Sequence, residues 1–162
     1  MYTKAALLDI HQRTHRSLTK FFEHLRGFSE EELGQTIEGF GMGNILSQLE
    51  HIVEAEEYWL WVATKAELPP LVDHPPPALE ETIRHREEVA ARTRAFIENT
   101  SEAELNTKTT LRVYGGAEVD LMPAQIVLRT QTHVFQHLGQ IAAICRMLGK
   151  PIPEGFDFPL RD

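Results

Sequence analysis

An all-α bundle of four helices carrying one short β-hairpin is the fold class predicted by this 162-residue chain. Three observations carry that reading. Four segments repeat apolar residues at steps of three and four, one short segment alternates around paired glycines, and glycine or proline marks where the helical patterns stop. A single domain over residues 1–162 is expected, since a chain of this size can bury a core without staples.

The first helix is read over Thr3 to Arg26, with Leu7, His11, Thr14, Leu18, Phe21, Phe22 and Leu25 on one face and Gly27 as its stop. The second starts at Asn44, a good N-cap after the flexible Gly41-Met42-Gly43, and runs to about Lys65. Ile45, Leu49, Ile52, Trp59 and Ala63 form its apolar arc, with Glu50, Glu54 and Glu57 on the wetter side. Between Leu68 and Pro77 five prolines forbid a helix, leaving a connection long enough to cross a bundle.

The third helix, about Ala78 to Asn99, sets Leu79, Ile83, Ala90 and Ile97 among many charges, as an outer bundle helix does. Thr110 to Leu121 reads as a hairpin around Gly115-Gly116, with Leu111 and Val113 facing Val119 and Leu121. Pro123 opens the fourth helix, which ends at Gly149. The acidic turns Ser29-Glu30-Glu31-Glu32 and Ser101-Glu102-Ala103-Glu104 follow the first and third helices alike, each with capping-box spacing. A duplicated plan and the common S-x-x-E helix start are equally good accounts of that echo.

With 16 basic and 24 acidic residues the net charge is −8, which repels nucleic acid and anionic membrane surfaces, and no Lys/Arg run overrides it. The lone Cys145 excludes an intrachain disulfide, cysteine-rich zinc frameworks and CxxC chemistry; with apolar neighbours it reads as a buried structural thiol. Neither a signal-peptide run nor a membrane span is visible, so a soluble cytoplasmic protein is expected.

The chemistry concentrates on the fourth helix. Its inward stripe reads Ile126, Thr130, His133, His137, Ile141, Ile144, Leu148, so two imidazoles one turn apart replace core residues. Buried imidazoles need a partner, and at this spacing both can bind one ion. HxxxH alone is a weak signal. His51 strengthens it, because it lies on the second helix beside Gln48, Ala55, Tyr58 and Val62, away from the densest acidic face. Three neutral imidazoles would leave a coordination position open for water or substrate.

The segments Leu49-Glu50-His51-Ile52-Val53-Glu54-Ala55-Glu56-Glu57-Tyr58-Trp59 and His133-Val134-Phe135-Gln136-His137-Leu138-Gly139-Gln140-Ile141, in this order, resemble the DinB-like (YfiT-like) metalloenzymes. The resemblance covers nearly the whole chain, and the H-x-x-x-H-x-G-Q run is its specific part. It implies up-down-down-up connectivity and a divalent metal ion held by His51, His133 and His137. Zinc, nickel and iron are not distinguished by such ligands. Active relatives include thiol-dependent S-transferases, isomerases using a low-molecular-weight thiol and metal-dependent hydrolases acting on small molecules, and many pair as homodimers.

Other residues carry weaker readings. Glu54, one turn after His51, is a candidate catalytic base, though a solvated acidic face explains it as well. His11, which forms a second HxxxH with His15, is either a pocket residue near the metal or, the favoured reading, a core histidine with an ordinary hydrogen-bond partner. Tyr58 is a candidate for the pocket, and Gln140 for holding His137 or a neighbouring helix. Trp59 and Trp61 read as packing or interface residues, and His24, His74 and His85 as surface ones. In the tail, Pro151 to Asp162, Phe156, Phe158 and Leu160 are expected to pack on the bundle or on a second subunit. The leading functional expectation is a metal-dependent enzyme, most favourably a thiol-dependent S-transferase. Its rivals are a metal-dependent hydrolase and a non-enzymatic metal-binding or structural module.

Overall fold

The computed structural model describes residues 1–70, 72 and 74–160; parts of the proline-rich connection and of the tail, namely Leu71, Asp73, Arg161 and Asp162, lie outside the described residues. Helix α1 spans Lys4–Leu25 and opens on Thr3, whose hydroxyl accepts the Ala6 N–H at 3.1 Å. A short helix, α2 (Glu30–Gly34), is opened by a capping box between Ser29 and Glu32. Helix α3 covers Ile45–Thr64, with the Asn44 side chain accepting the Ser47 N–H at 2.8 Å as anticipated from the sequence. Helix α4 (Leu79–Asn99) is followed by the short α5 (Glu102–Leu105), again opened by a capping box, here between Ser101 and Glu104. The echo between the two halves therefore extends to the way the chain turns.

Strands β1 (Thr109–Arg112) and β2 (Glu118–Leu121) pair antiparallel, Leu111 opposite Val119 and Arg112 opposite Glu118. The turn between them is a 3-10 turn over Tyr114–Gly116 in which Gly115 and Gly116 adopt φ of 79° and 78°, a left-handed conformation that glycine tolerates without cost from a side chain. Helix α6 (Pro123–Met147) then begins with proline at its first position.

Packing fixes the connectivity. Phe22 and Leu25 near the end of α1, Ile45 and Leu49 at the start of α3, Ile83 near the start of α4, and Ile141 and Ile144 near the end of α6 share one core cluster. At the other end Leu7, Ile97, Leu105, Ala124 and Val127 form a second, and Val62, Leu111 and Ile126 a third, which docks the hairpin. Thus α1 runs up, α3 and α4 down, and α6 up. Helices α3 and α6 are neighbours, as are α3 and α4, α1 and α6, and α1 and α4. That leaves α1 diagonally across the bundle from α3.

Because α3 and α4 point the same way, residues 65–78 must climb the length of a 20-residue helix, about 30 Å. An extended chain of about 14 residues reaches about 46 Å, so a connection of this length is long enough to cover the distance. It is tied down on the way: Tyr114 donates its hydroxyl to the Pro69 carbonyl at 3.3 Å, and His74 lies 3.2 Å from Glu50.

The tail packs on its own bundle. Phe156 meets Phe21 edge-on at 5.2 Å, Phe158 lies 5.9 Å from Phe135, and the Ser17 hydroxyl donates to the Asp157 carbonyl at 3.0 Å. Leu160, expected to be covered, is exposed. Cys145 is fully buried, and burial pushes its thiol up to about 11, which fits a structural role. Among the described residues no helix is long and apolar enough to cross a membrane.

Candidate metal centre

The three histidines that the sequence singles out come together between α3 and α6. Ring centroids of His51 and His133 are 5.0 Å apart, those of His51 and His137 are 4.8 Å apart, and His133 and His137 are 4.5 Å apart. One nitrogen from each lies within 4.8 Å of the others, close enough for a single metal ion. The Nε2 atoms of His133 and His137 are 3.1 Å apart, near the ligand–ligand edge of about 3.3 Å that a tetrahedron with bonds of about 2.05 Å requires.

The site's second layer comes from Gln48, which sequence reasoning left as an unassigned neighbour on the His51 face. Fully buried, it accepts a hydrogen bond on Oε1 from Nδ1 of His137. Its own Nε2 donates to the Met42 carbonyl at 2.7 Å and to Gln140 Oε1 at 3.0 Å, which fixes the amide's orientation. The ring proton of His137 therefore sits on Nδ1 and its Nε2 lone pair faces the cluster. Gln140, expected to hold either His137 or a neighbouring helix, binds the side chain of Gln48 on α3 and reaches the ring through it.

The Gly41-Met42-Gly43 stretch belongs to the same scaffold. A Cβ on Gly43 would lie 2.8 Å from Cγ2 of Thr36, and the Ile37 N–H donates to the Gly43 carbonyl at 2.7 Å. What reads as flexible in the sequence is a close approach of two backbone segments that holds the Met42 carbonyl for Gln48.

Electrostatics suit a cation. Burial, followed by the neighbouring His137 and His51, pushes His133 down to about 4. Burial lowers His51 and, together with His51, lowers His137. All three imidazoles are thus neutral near pH 7, so no proton competes for their lone pairs.

His51 and His133 line a cavity of about 520 Å³, while His137 stands behind them, 7% exposed. Tyr58, Trp59, Arg129 and Tyr114 form its inner wall, and Pro69, Pro70, Val72 and His74 of the connection form its outer wall. Tyr58 and Tyr114 stack at 4.6 Å, with the Tyr58 hydroxyl accepting the Tyr114 N–H at 3.3 Å. The Arg129 guanidinium lies 5.1 Å from the Trp59 ring centre. A larger cleft of about 770 Å³ between the hairpin and Leu68–Pro70 presents no imidazole; His51 and His133 face the smaller one.

Glu54 lines the cavity and is exposed, 3.5 Å from His74. His74 is exposed as expected, but at the cavity rim; His85 is half-buried against Glu57 at 3.0 Å, and His24 is half-buried beside Phe156. His11 is not at this site. It is buried across the bundle with His15 and Glu56, its Nε2 lying 3.3 Å from Glu56 Oε1. Among the described residues the metal-competent group around His51 contains three ligands and no fourth.

The family model described as the DinB family matches residues 1–161. No curated protein matches the chain.

Proposed function

The chain belongs to the DinB family, and from that premise we propose that it is a metal-dependent enzyme acting on small electrophilic substrates, most favourably a thiol-dependent S-transferase. The observation that supports this is the convergence of three neutral imidazoles, two of them on the wall of a 520 Å³ cavity, with no fourth protein ligand among the described residues. In this reading His51, His133 and His137 hold a divalent ion. The ion's contribution is Lewis acidity, lowering the pKa of a thiol or water near neutral pH.

The chain's own residues do the rest. Gln48 keeps the His137 proton on Nδ1, so its Nε2 faces inward. Tyr58, Trp59 and Tyr114 offer an aromatic surface for the apolar part of a substrate, and Arg129 a positive charge for an anionic one. The proline connection narrows the mouth and limits water.

Hydrolysis is the rival, favoured by one observation: Glu54 shares the cavity with His51, where its carboxylate can take a proton. A homodimer, expected from the resemblance, is the proposed assembly and is tested by light scattering. The deciding experiment measures metal content of untagged protein with the His133→Ala and His137→Ala variants. It then assays the loaded protein on model electrophiles with several cellular thiols and on esters and amides. Thiol-dependent turnover that vanishes in both variants supports the transferase; ester or amide cleavage alone supports the hydrolase; no bound ion sinks both.

A further inference from the structure

A second set of ligand-type side chains lies in the bundle interior, far from any use in the chemistry above. His11 and His15 project from α1, and Glu56 meets them from α3, the helix diagonally opposite. His11 is 5% exposed, His15 is 7% exposed and Glu56 is 3% exposed. Glu56 Oε1 lies 3.3 Å from His11 Nε2, and Glu56 Oε2 lies 3.1 Å from His15 Nε2. A carboxylate so buried needs a counter-charge, and the two imidazoles and the buried Arg86 are the groups that act on it. Moreover, His11 Nε2 has no hydrogen-bond geometry to any partner among the described residues, although it lies 3.3 Å from the carboxylate.

We propose that His11, His15 and Glu56 form a second, solvent-shielded metal site that binds a zinc-like divalent cation and ties α1 to α3 through the centre of the bundle. Two histidines and one glutamate are an established zinc donor set. Glu56 Oε1 lies 3.3 Å from Nε2 of both His11 and His15, which matches the tetrahedral edge of about 3.3 Å. The cation would neutralise Glu56 and satisfy His11 Nε2 at once. Burial pushes His11 toward its neutral, ligating form. Since the site is enclosed, the ion enters as the bundle folds. This inference does not rest on the reaction proposed above, because the two sites share no ligand.

The test uses the full chain with the first centre removed, as the His133→Ala/His137→Ala double variant, refolded with and without zinc and then dialysed. The expected result is about one zinc per chain in that variant against about two in the parent, with a higher melting temperature in the zinc-refolded sample. Zinc X-ray absorption on the double variant should report two imidazole nitrogens per ion. Adding Glu56→Gln, which preserves shape, should abolish the ion. If Glu56→Gln fails to fold, the absorption spectrum of the double variant still decides. The proposal is overturned by a double variant that holds no zinc, by fewer than two imidazoles at the ion, or by an ion that persists in a folded Glu56→Gln protein. Those outcomes would make the trio a buried hydrogen-bonded cluster or move the ion elsewhere.

Discussion

Gln48 on α3 fixes the tautomer of His137 on α6, accepting from its Nδ1 while its own amide is held by Met42 and Gln140. The two residues make one unit, in which the amide can accept only if the ring donates. Replacing Gln48 by Leu should therefore weaken divalent-metal affinity by about 10- to 100-fold while retaining the helical fold. It should also cost about 1–3 kcal/mol of stability, because the ring N–H and the Met42 carbonyl lose a buried partner. Gln48→Glu keeps an acceptor for the ring and should retain most of the affinity. Competition with a chromogenic chelator reads both, and equal loss in the two variants would argue against this role.

The metal-free protein should lose stability on acidification through the histidine cluster. His133 titrates at about 4 when folded, held down mainly by burial, against about 6.5 in an unfolded chain. Above about pH 6.5 both states are neutral and the contribution is fully present. As the pH falls from there towards 4, only the unfolded state takes up the proton, so stability drops. His51 and His137, also lowered, add in the same direction. Melting temperatures of the metal-free protein and of His133→Gln across pH 7 to 4 should converge as pH falls; parallel curves would contradict the assignment.

Tyr58 links the hairpin tip to the helix that carries His51. Tyr58→Phe keeps the stack on Tyr114 but removes the acceptor of the Tyr114 N–H, and should cost about 1 kcal/mol in urea denaturation. Tyr114→Ala removes the stack and the bond to Pro69 together, and hydrogen exchange should then rise across residues 109–121. Unchanged exchange there would mean that the apolar contacts of Leu111, Val113 and Leu121 hold the hairpin.

The tail is part of the fold. Phe156→Ala should lower stability by roughly 1–2 kcal/mol, less than for a fully buried Phe, because the ring is only half-covered against Phe21 and His24. Leu160→Ala, at an exposed position, should be close to neutral. Thermal melts of the two variants provide the comparison.

The periodicity of apolar residues was enough to locate the four long helices, and the glycine pair to locate the hairpin, because each is a local pattern. His51, His133 and His137 were legible for a related reason: two of them break an apolar stripe. The same logic reaches Gln48 and Glu56, which fall on the stripe Ile45, Leu49, Ile52, Val53 and Leu60 and are buried with it. Glu56 was hidden by company, since it stands in the run Glu54-Ala55-Glu56-Glu57, where an acidic residue reads as solvated. Its partners His11 and His15 come from a helix that is a diagonal neighbour, and no local pattern encodes a diagonal. The cavity wall was hidden too, because Tyr114, Arg129 and the proline connection meet only once the chain has crossed the bundle.

That crossing separates two jobs that many enzymes leave entangled. The imidazoles stand on helices locked by a shared core, whereas the surface facing them across the cavity belongs to a strand-free stretch of prolines with no share in that core. Pro69, Pro70 and Val72 can accordingly be exchanged for bulkier or smaller residues to retune which molecules enter, with the three imidazoles left in place. The molecule is built like a vice with a fixed jaw and a replaceable one.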